Sequence, residues 1–314
     1  MTEAVVTGAA GFIGSHLSVR LLENGYDVIG IDSFEDYYPR WIKEKNLMAP
    51  KRHERFRLVE GSLALMDLKH LLDGADYVFH EAAQPGIGRS FGQFFDAYVA
   101  NNIVATQRLL EALKGSRVRR LVYASSSSVY GNTHELPARE STTKMPYSPY
   151  GVTKFAGEQL VKVYNDNFGV PCVSLRYFTV YGPGQRPDMA FHRFIKSALE
   201  GSPIVLYGDG RQTRDFTYVS DIVDANMLAL DAPPGTVFNI GGGDRVCLID
   251  AVRMIGKLTG KNTEIEFQPP QRGDVRDTYA DLTNAQAGLG YRPQAILERG
   301  LVQEIEYIKQ LYNV

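Results

Sequence analysis

Cysteine is nearly absent from this chain of 314 residues, and the two that occur, Cys172 and Cys247, both sit in apolar runs. Two cysteines build neither a disulfide framework nor a metal-ligand set, so core thiols are expected and no metal site. Net charge is nearly absent too: 34 Lys and Arg against 36 Asp and Glu leave −2. That balance speaks against nucleic acid or an anionic membrane as a partner, so any anion site must be a local cluster of Arg or Lys. No apolar run reaches the roughly 18 residues of a membrane span, and with the first predicted strand beginning almost at Met1 no signal peptide is expected. A cytoplasmic enzyme is expected. Repeats and low-complexity linkers are also missing. What remains is ordinary globular chemistry, 44% hydrophobic and 22% charged, enough for one large domain or two smaller ones.

Against that background one stretch stands out, Thr7-Gly8-Ala9-Ala10-Gly11-Phe12-Ile13-Gly14. An apolar run, Ala4-Val5-Val6, leads into it and a helical pattern from Ser15 leads out. Gly8 permits a sharp turn, Gly11 removes a Cβ from the path of a pyrophosphate, and Gly14 lets helix and strand pack closely. The helix N-terminus then offers free N–H groups to the anion. The spacing, GxxGxxG, is a variant of the dinucleotide fingerprint, and glycine turns are common, so alone it is weak. Its support is the next predicted strand, Asp27–Asp32, whose terminal acid would accept from a ribose hydroxyl and repel a 2′-phosphate. NAD is therefore favoured over NADP. The bland alternative for Asp32 is a solvated turn acid.

Strands and helices alternate through the first half. Predicted strands cover 56–60, 77–83, 120–124 and 173–177. Predicted helices cover 42–55 (a surface helix), 65–72, 98–113 and 149–168. Gly61-Ser62-Leu63 falls at the sheet edge, where an adenine could rest. The alternation implies an α/β fold: a Rossmann-type, doubly wound parallel sheet with helices on both faces. Ligands in such sheets sit beyond the carboxyl ends of the strands, where the glycine loop, Asp32, Ala82-Ala83, the serine run 125–128 and the segment after Tyr177 all fall. After Tyr181 the texture changes to loop, an amphipathic helix over 191–200, and short strands. Those at 214–219 and 236–240 are expected to return to the first sheet. The rest reads as a smaller, discontinuous α/β lobe.

Tyr150-Gly151-Val152-Thr153-Lys154 puts a phenol and an ammonium four apart, on one face of a helix. A phenol near pKa about 10 is a poor base at neutral pH, but an adjacent cation favours the phenolate. Lys154 is expected to supply that charge. Ser126, at a predicted strand end, could share a substrate oxygen with Tyr150 and orient proton transfer. Exposed Tyr/Lys pairs and turn serines are common, so the pair gains weight only from the nucleotide fold around it.

Taken together, Gly8-x-x-Gly11-x-x-Gly14, Asp32, Ser126 with Val129-Tyr130-Gly131, Tyr150-x-x-x-Lys154 and Leu175-Arg176-Tyr177-Phe178 resemble the extended short-chain dehydrogenase/reductase superfamily, and within it the NAD-dependent nucleotide-sugar epimerases. The resemblance implies Tyr150 as base, Lys154 as its partner and Ser126 as hydroxyl donor. It implies a cofactor site from Gly8, Gly11, Phe12, Ile13, Gly14, Asp32 and Ser33, with Ser62, Leu63, Ala82, Ala83, Gln84, Asn102 and Tyr177 joining Tyr150 and Lys154. It implies a UDP-sugar held by Val205, Tyr207, Gln212, Arg214 and Arg272, and a homodimer. Residues 1–178, with returning segments near 214–240, would form the NAD-binding half, and 179–213 with 241–314 the nucleotide-sugar lobe.

Two departures narrow the substrate. Dehydratases and UDP-glucuronate decarboxylases of the superfamily carry Glu just before Val-Tyr-Gly, where this chain has Ser128. The segment Arg176–Ala190, with Thr179 and Arg186-Pro187-Asp188-Met189, resembles the UDP-glucuronate 4-epimerases, whereas UDP-glucose 4-epimerases typically have Asn at the position of Thr179. The resemblance thus implies that Ser127, Ser128, Thr179 and Arg186 face a sugar carboxylate; the bland alternative for Arg186 is a solvated loop arginine. Rival readings are a UDP-glucose 4-epimerase, a UDP-glucuronate decarboxylase and a catalytically silent NAD-binding regulator.

Overall fold

A computed structural model describes residues 2–314. The first half runs β1 (Glu3–Thr7), α1 (Phe12–Glu23), β2 (Asp27–Asp32), α2 (Arg40–Asn46), β3 (Phe56–Glu60), α3 (Leu68–Leu72) and β4 (Tyr77–His80). There follow α4 (Phe95–Tyr98), a π-helical stretch Val99–Val104, α5 (Ala105–Leu113), β5 (Arg120–Ser126), α6 (Pro149–Phe168) and β6 (Cys172–Tyr177). The second half runs β7 (Thr179–Tyr181), α7 (Ala190–Glu200), β8 (Ile204–Tyr207), β9 (Thr213–Tyr218), α8 (Val219–Leu228), β10 (Val237–Ile240) and β11 (Arg245–Cys247). It ends with α9 (Leu248–Thr259), β12 (Ile265–Gln268), α10 (Thr283–Leu289) and α11 (Leu297–Tyr312).

Seven strands form one parallel sheet in the order β10-β6-β5-β4-β1-β2-β3. The chain reverses its winding between β1 and β4, and a crevice opens there beyond the strand ends. Register sets its lip. Thr7 pairs with both Ile31 and His80, so Gly8, Asp32 and Glu81, each one residue further on, leave the sheet side by side. Helices cover both faces. Leu17, Leu21 and Leu22 of α1 and Ile222 of α8 share one core with β1 and β6, while Leu109, Leu110 and Val161 of α5 and α6 share the other with β4 and β5. The β-strands read as near-continuous apolar runs because both faces are buried.

A third core, under α7, α9 and α11, belongs to the second lobe. Here the sequence expectation needs correction. Of the two strands expected to return to the first sheet, only β10 does. β9 instead pairs with β7 and β11 in a separate three-stranded sheet. Thr213, Arg214, Asp215 and Thr217 make β9 largely polar, unlike the near-continuous apolar strands of a parallel sheet covered on both faces. The helix expected over 42–55 is also shorter. It closes at Asn46, and Pro50, which cannot continue a helix, opens a separate short turn. Nor is it a surface helix throughout, since Ile42 and Lys43 are buried. Cys172 is a buried free thiol as expected, but Cys247 is half-exposed. No helix among the described residues is long and apolar enough to cross a membrane.

Candidate active site

The glycine loop is built to close backbone approach. Gly8 holds φ +70°, and a Cβ at Gly14 would stand 2.2 Å from the Gly8 carbonyl oxygen, at Gly11 3.0 Å from the same atom. Gly11 caps α1 without any side-chain bond, and the first turn carries no acid. The first N–H groups of α1 therefore face the crevice unclaimed by side chains, ready for a phosphate. Asp32 stands beside them. Its Oδ2 accepts from Ala10 N at 3.0 Å and its Oδ1 from Phe34 N at 2.8 Å. Buried Lys43 of α2 reaches to 3.6 Å of this carboxylate. These groups fit a dinucleotide whose diphosphate meets helix N–H donors and whose ribose meets a fixed acid.

Most expected cofactor residues line this crevice: Gly8, Gly11, Phe12, Ile13, Gly14, Asp32, Ser33, Leu63, Ala82, Ala83, Gln84, Tyr150, Lys154 and Tyr177. Two do not. Ser62 lies outside the lining, its hydroxyl accepting from Ala64 N at 3.3 Å. Asn102 is buried behind the wall. Its Oδ1 accepts from Gln84 N at 2.6 Å, and its Nδ2 donates to Gln84 O at 3.0 Å and Thr153 Oγ1 at 2.9 Å. It holds the β4 exit against α6, and the π-helical stretch is what turns it there.

Tyr150 enters on the first turn of α6. Ser148 caps that helix, accepting from Gly151 N at 3.1 Å, and Pro149 fits its first position. Gly151 presses against the serine run: a Cβ there would meet Ser128 O at 2.7 Å. Ser126 ends β5 and its Oγ accepts from Ser128 N at 3.1 Å, which fixes the turn. Tyr150 lines both the cofactor crevice and a second cavity of about 500 Å³, where Ser126, Ser127 and Ser128 also lie.

The electrostatics add to the sequence expectation. Burial pushes the Tyr150 phenol up, while Arg186 and then the Ser126 hydroxyl pull it back down. Arg186 thus adds a cation near the phenol that the sequence reading placed only at the sugar carboxylate. Lys154 shares the helix face but its Nζ lies 4.9 Å from the Tyr123 ring centroid. Burial pulls its ammonium down to about 8, with Glu81 and Glu158 opposing. Glu81 is a site residue that the sequence reading missed. Burial pushes its carboxyl up to about 7, and its Oε1 accepts from Tyr177 OH at 2.9 Å. The one signal was an acid directly after a buried strand, at the sheet edge where the glycine loop also falls.

The second cavity gathers Thr179, Arg186, Val205, Tyr207, Gln212 and Arg214 around the serine turn. Gln212 Nε2 donates to Tyr207 O at 2.7 Å, and Arg214 Nη2 donates to Asp274 Oδ1 at 2.5 Å. Arg272 is the exception: it is exposed and outside the lining, while its neighbours Gln271 and Asp274 lie within it. Arg186 is no free loop arginine. It lines both cavities and pairs with Asp188.

Comparison with known proteins agrees with this geometry. Residues 4–241 match the model of the NAD dependent epimerase/dehydratase family. An uncharacterized UDP-glucose epimerase of Bacillus subtilis (strain 168) is 46% identical over 312 residues, 98% of each chain. A UDP-glucuronate 4-epimerase of Thermodesulfobacterium geofontis is 34% identical, covering 98% of this chain and 96% of its own. The crystal structure of UDP-glucuronic acid 4-epimerase from Bacillus cereus, in complex with UDP-glucuronic acid and NAD, superposes with a TM-score of 0.97 at 45% identity, over 99% of this chain and 100% of that one. By fold, by crevice and by sequence, this chain belongs to the NAD dependent epimerase/dehydratase family.

Proposed function

We propose that this protein is an NAD-dependent UDP-glucuronate 4-epimerase, interconverting UDP-glucuronate and UDP-galacturonate through a 4-keto intermediate. The observation that carries the reading is the junction of the two cavities at Tyr150: hydroxyls of Ser126–Ser128 and Thr179 and the Arg186 guanidinium surround it, and no carboxylate stands at position 128. Glycines 8, 11 and 14, Asp32 and Lys154 would hold the cofactor, with Asn102 bracing its wall. The bound nicotinamide supplies a reversible hydride acceptor. Tyr150, as phenolate, takes the proton from the C4 hydroxyl, and Ser126 orients that same oxygen. Lys154, buried beside Glu81, donates to the ribose. After the keto sugar turns over about its diphosphate link, C4 would present its opposite face for return of the hydride, and Tyr150 gives the proton back to the C4 oxygen. Ser127, Ser128, Thr179 and Arg186 would hold the sugar carboxylate. A fixed carboxylate keeps its C–C bond away from the carbonyl π system, which suppresses loss of CO₂.

Gln212 and Arg214, with Val205 and Tyr207, would receive the nucleotide, so that 1–178 with β10 serves the cofactor and 179–213 with 241–314 the sugar nucleotide. A cytoplasmic homodimer completes the proposal. Its support is the apolar surface of α6 and its neighbour, where Val152, Val163, Phe168 and Val104 are all exposed. Incubation with UDP-glucuronate and with UDP-glucose, followed by NMR of the product sugar, tests the activity. Formation of UDP-galacturonate supports it; exclusive turnover of UDP-glucose, or evolution of CO₂ and a UDP-pentose, replaces it. Light scattering tests the dimer.

A further inference from the structure

Arg186 already carries a carboxylate. Its Nε donates to Asp188 Oδ1 at 3.0 Å and its Nη2 to Asp188 Oδ2 at 3.1 Å. This is the parallel two-bond geometry that a guanidinium offers a carboxylate ligand. Both side chains line the sugar-facing cavity. The pair is local: Met189 N bonds Arg186 O at 3.1 Å across one turn with Pro187 inside it. Tyr37, from the loop after β2, donates its hydroxyl to the same Asp188 Oδ2 at 3.3 Å, and the Arg89 guanidinium lies 4.9 Å from the Tyr37 ring centroid. The other cations of this wall are engaged elsewhere. Arg193 packs 5.4 Å from the Tyr207 ring centroid and Arg214 is paired with Asp274.

We propose that Asp188 is a built-in occupant of the Arg186 fork and sets how strongly the site prefers an acidic sugar over a neutral one. The proposal rests on the functional reading above and deepens it. A uronate entering the cavity meets a neutral ion pair rather than a free cation. To gain both bonds from Nε and Nη2 it must displace Asp188, and while Asp188 stays it repels the incoming charge. A neutral hexose meets no such competition. Asp188 therefore narrows the gap between uronate and hexose that Arg186 would otherwise open. Its release from Arg186 also changes the partner of Tyr37, which lines both cavities, so uronate binding reaches the rim of the cofactor crevice through one hydroxyl.

The test is Asp188→Asn, which keeps shape and removes charge, with Asp188→Ser as the second variant should the first not fold. Affinities of the NAD-loaded proteins for UDP-glucuronate and UDP-glucose are measured by calorimetry, so that the readout does not need turnover. The expected result is a rise of roughly fivefold to tenfold in the preference for UDP-glucuronate over UDP-glucose, from tighter uronate binding. That gain should shrink in about 1 M salt, where charge interactions are screened. A preference unchanged within about twofold overturns the proposal. So does weaker uronate binding, which would make Asp188 a support that aims Arg186. Absence of UDP-galacturonate formation in the wild type would instead defeat the functional reading, while the calorimetric comparison still decides the role of Asp188.

Discussion

Arg176 and Glu158 meet in a two-bond pair, Nε to Oε2 at 2.9 Å and Nη2 to Oε1 at 2.6 Å, with both side chains 3% exposed. Ser125 Oγ donates to the same Oε2 at 2.7 Å, and Arg176 Nη1 donates to Tyr130 OH at 2.7 Å. One ion pair thus joins β6, α6 and the serine strand end on which Ser126 sits. Removing one partner strands the other charge in the core. Glu158→Ala should cost about 3–5 kcal/mol of stability, read as a lower urea midpoint at unchanged slope.

Tyr150 is held by burial against ionisation, with Arg186 as the cation that opposes it. Tyr150→Phe should lower kcat by about 10²–10⁴ with little change in Tm and with NAD still bound, as shown by the absorbance of the purified protein. Arg186→Gln removes the opposing cation, so the phenol should rise further. The pH at which kcat is half-maximal on its alkaline-rising limb should move upward; a shift downward would contradict the electrostatics described above.

Glu81 offers a stability test with a defined sign. Its carboxyl is raised from an ordinary value of 4.5 to about 7. The folded protein therefore holds this proton more tightly than the unfolded chain. Between those two values stability falls as pH rises, and the cost is fully present above about pH 7. Glu81→Gln should match the wild type near the acid end and exceed it on the alkaline side by on the order of 1 kcal/mol, since the lost attraction to Lys154 offsets part of the gain. Urea midpoints on either side of the window measure this difference.

The glycine loop separates packing from ligand approach. Gly14→Ala would push a Cβ to 2.2 Å from Gly8 O, and backbone cannot yield that far. It should destabilise the protein by about 1–3 kcal/mol and abolish NAD retention through gel filtration. Gly11→Ala meets the same oxygen at 3.0 Å. It should cost less stability yet still weaken NAD, because its Cβ intrudes where the diphosphate approaches.

Much of the site was legible in the sequence because its parts are local. The strand, glycine turn and helix at Gly8–Gly14, the acid ending β2, and the start of α6 at Pro149 each depend on neighbours a few residues away. Helix spacing brought Tyr150 and Lys154 to one face, and β5 delivered Ser126 to the same edge. The sequence did not reveal that a second cation would come near Tyr150. Lys154 turned toward Tyr123 and the buried acids, while Arg186 arrived from a loop of the other lobe.

By itself, then, the sequence determined the winding of the first half, the glycine loop and the placing of Tyr150 and Lys154 on one helix face, since backbone preference and short-range periodicity write these directly into residue order. Only the tertiary structure decided that β9 joins a second sheet, that Lys43 enters the crevice beside Asp32, and that Glu81 and Lys154 are buried near one another. Those outcomes depend on which faces are buried and which charges lose water together, and the spacing of residues along a chain carries no record of either.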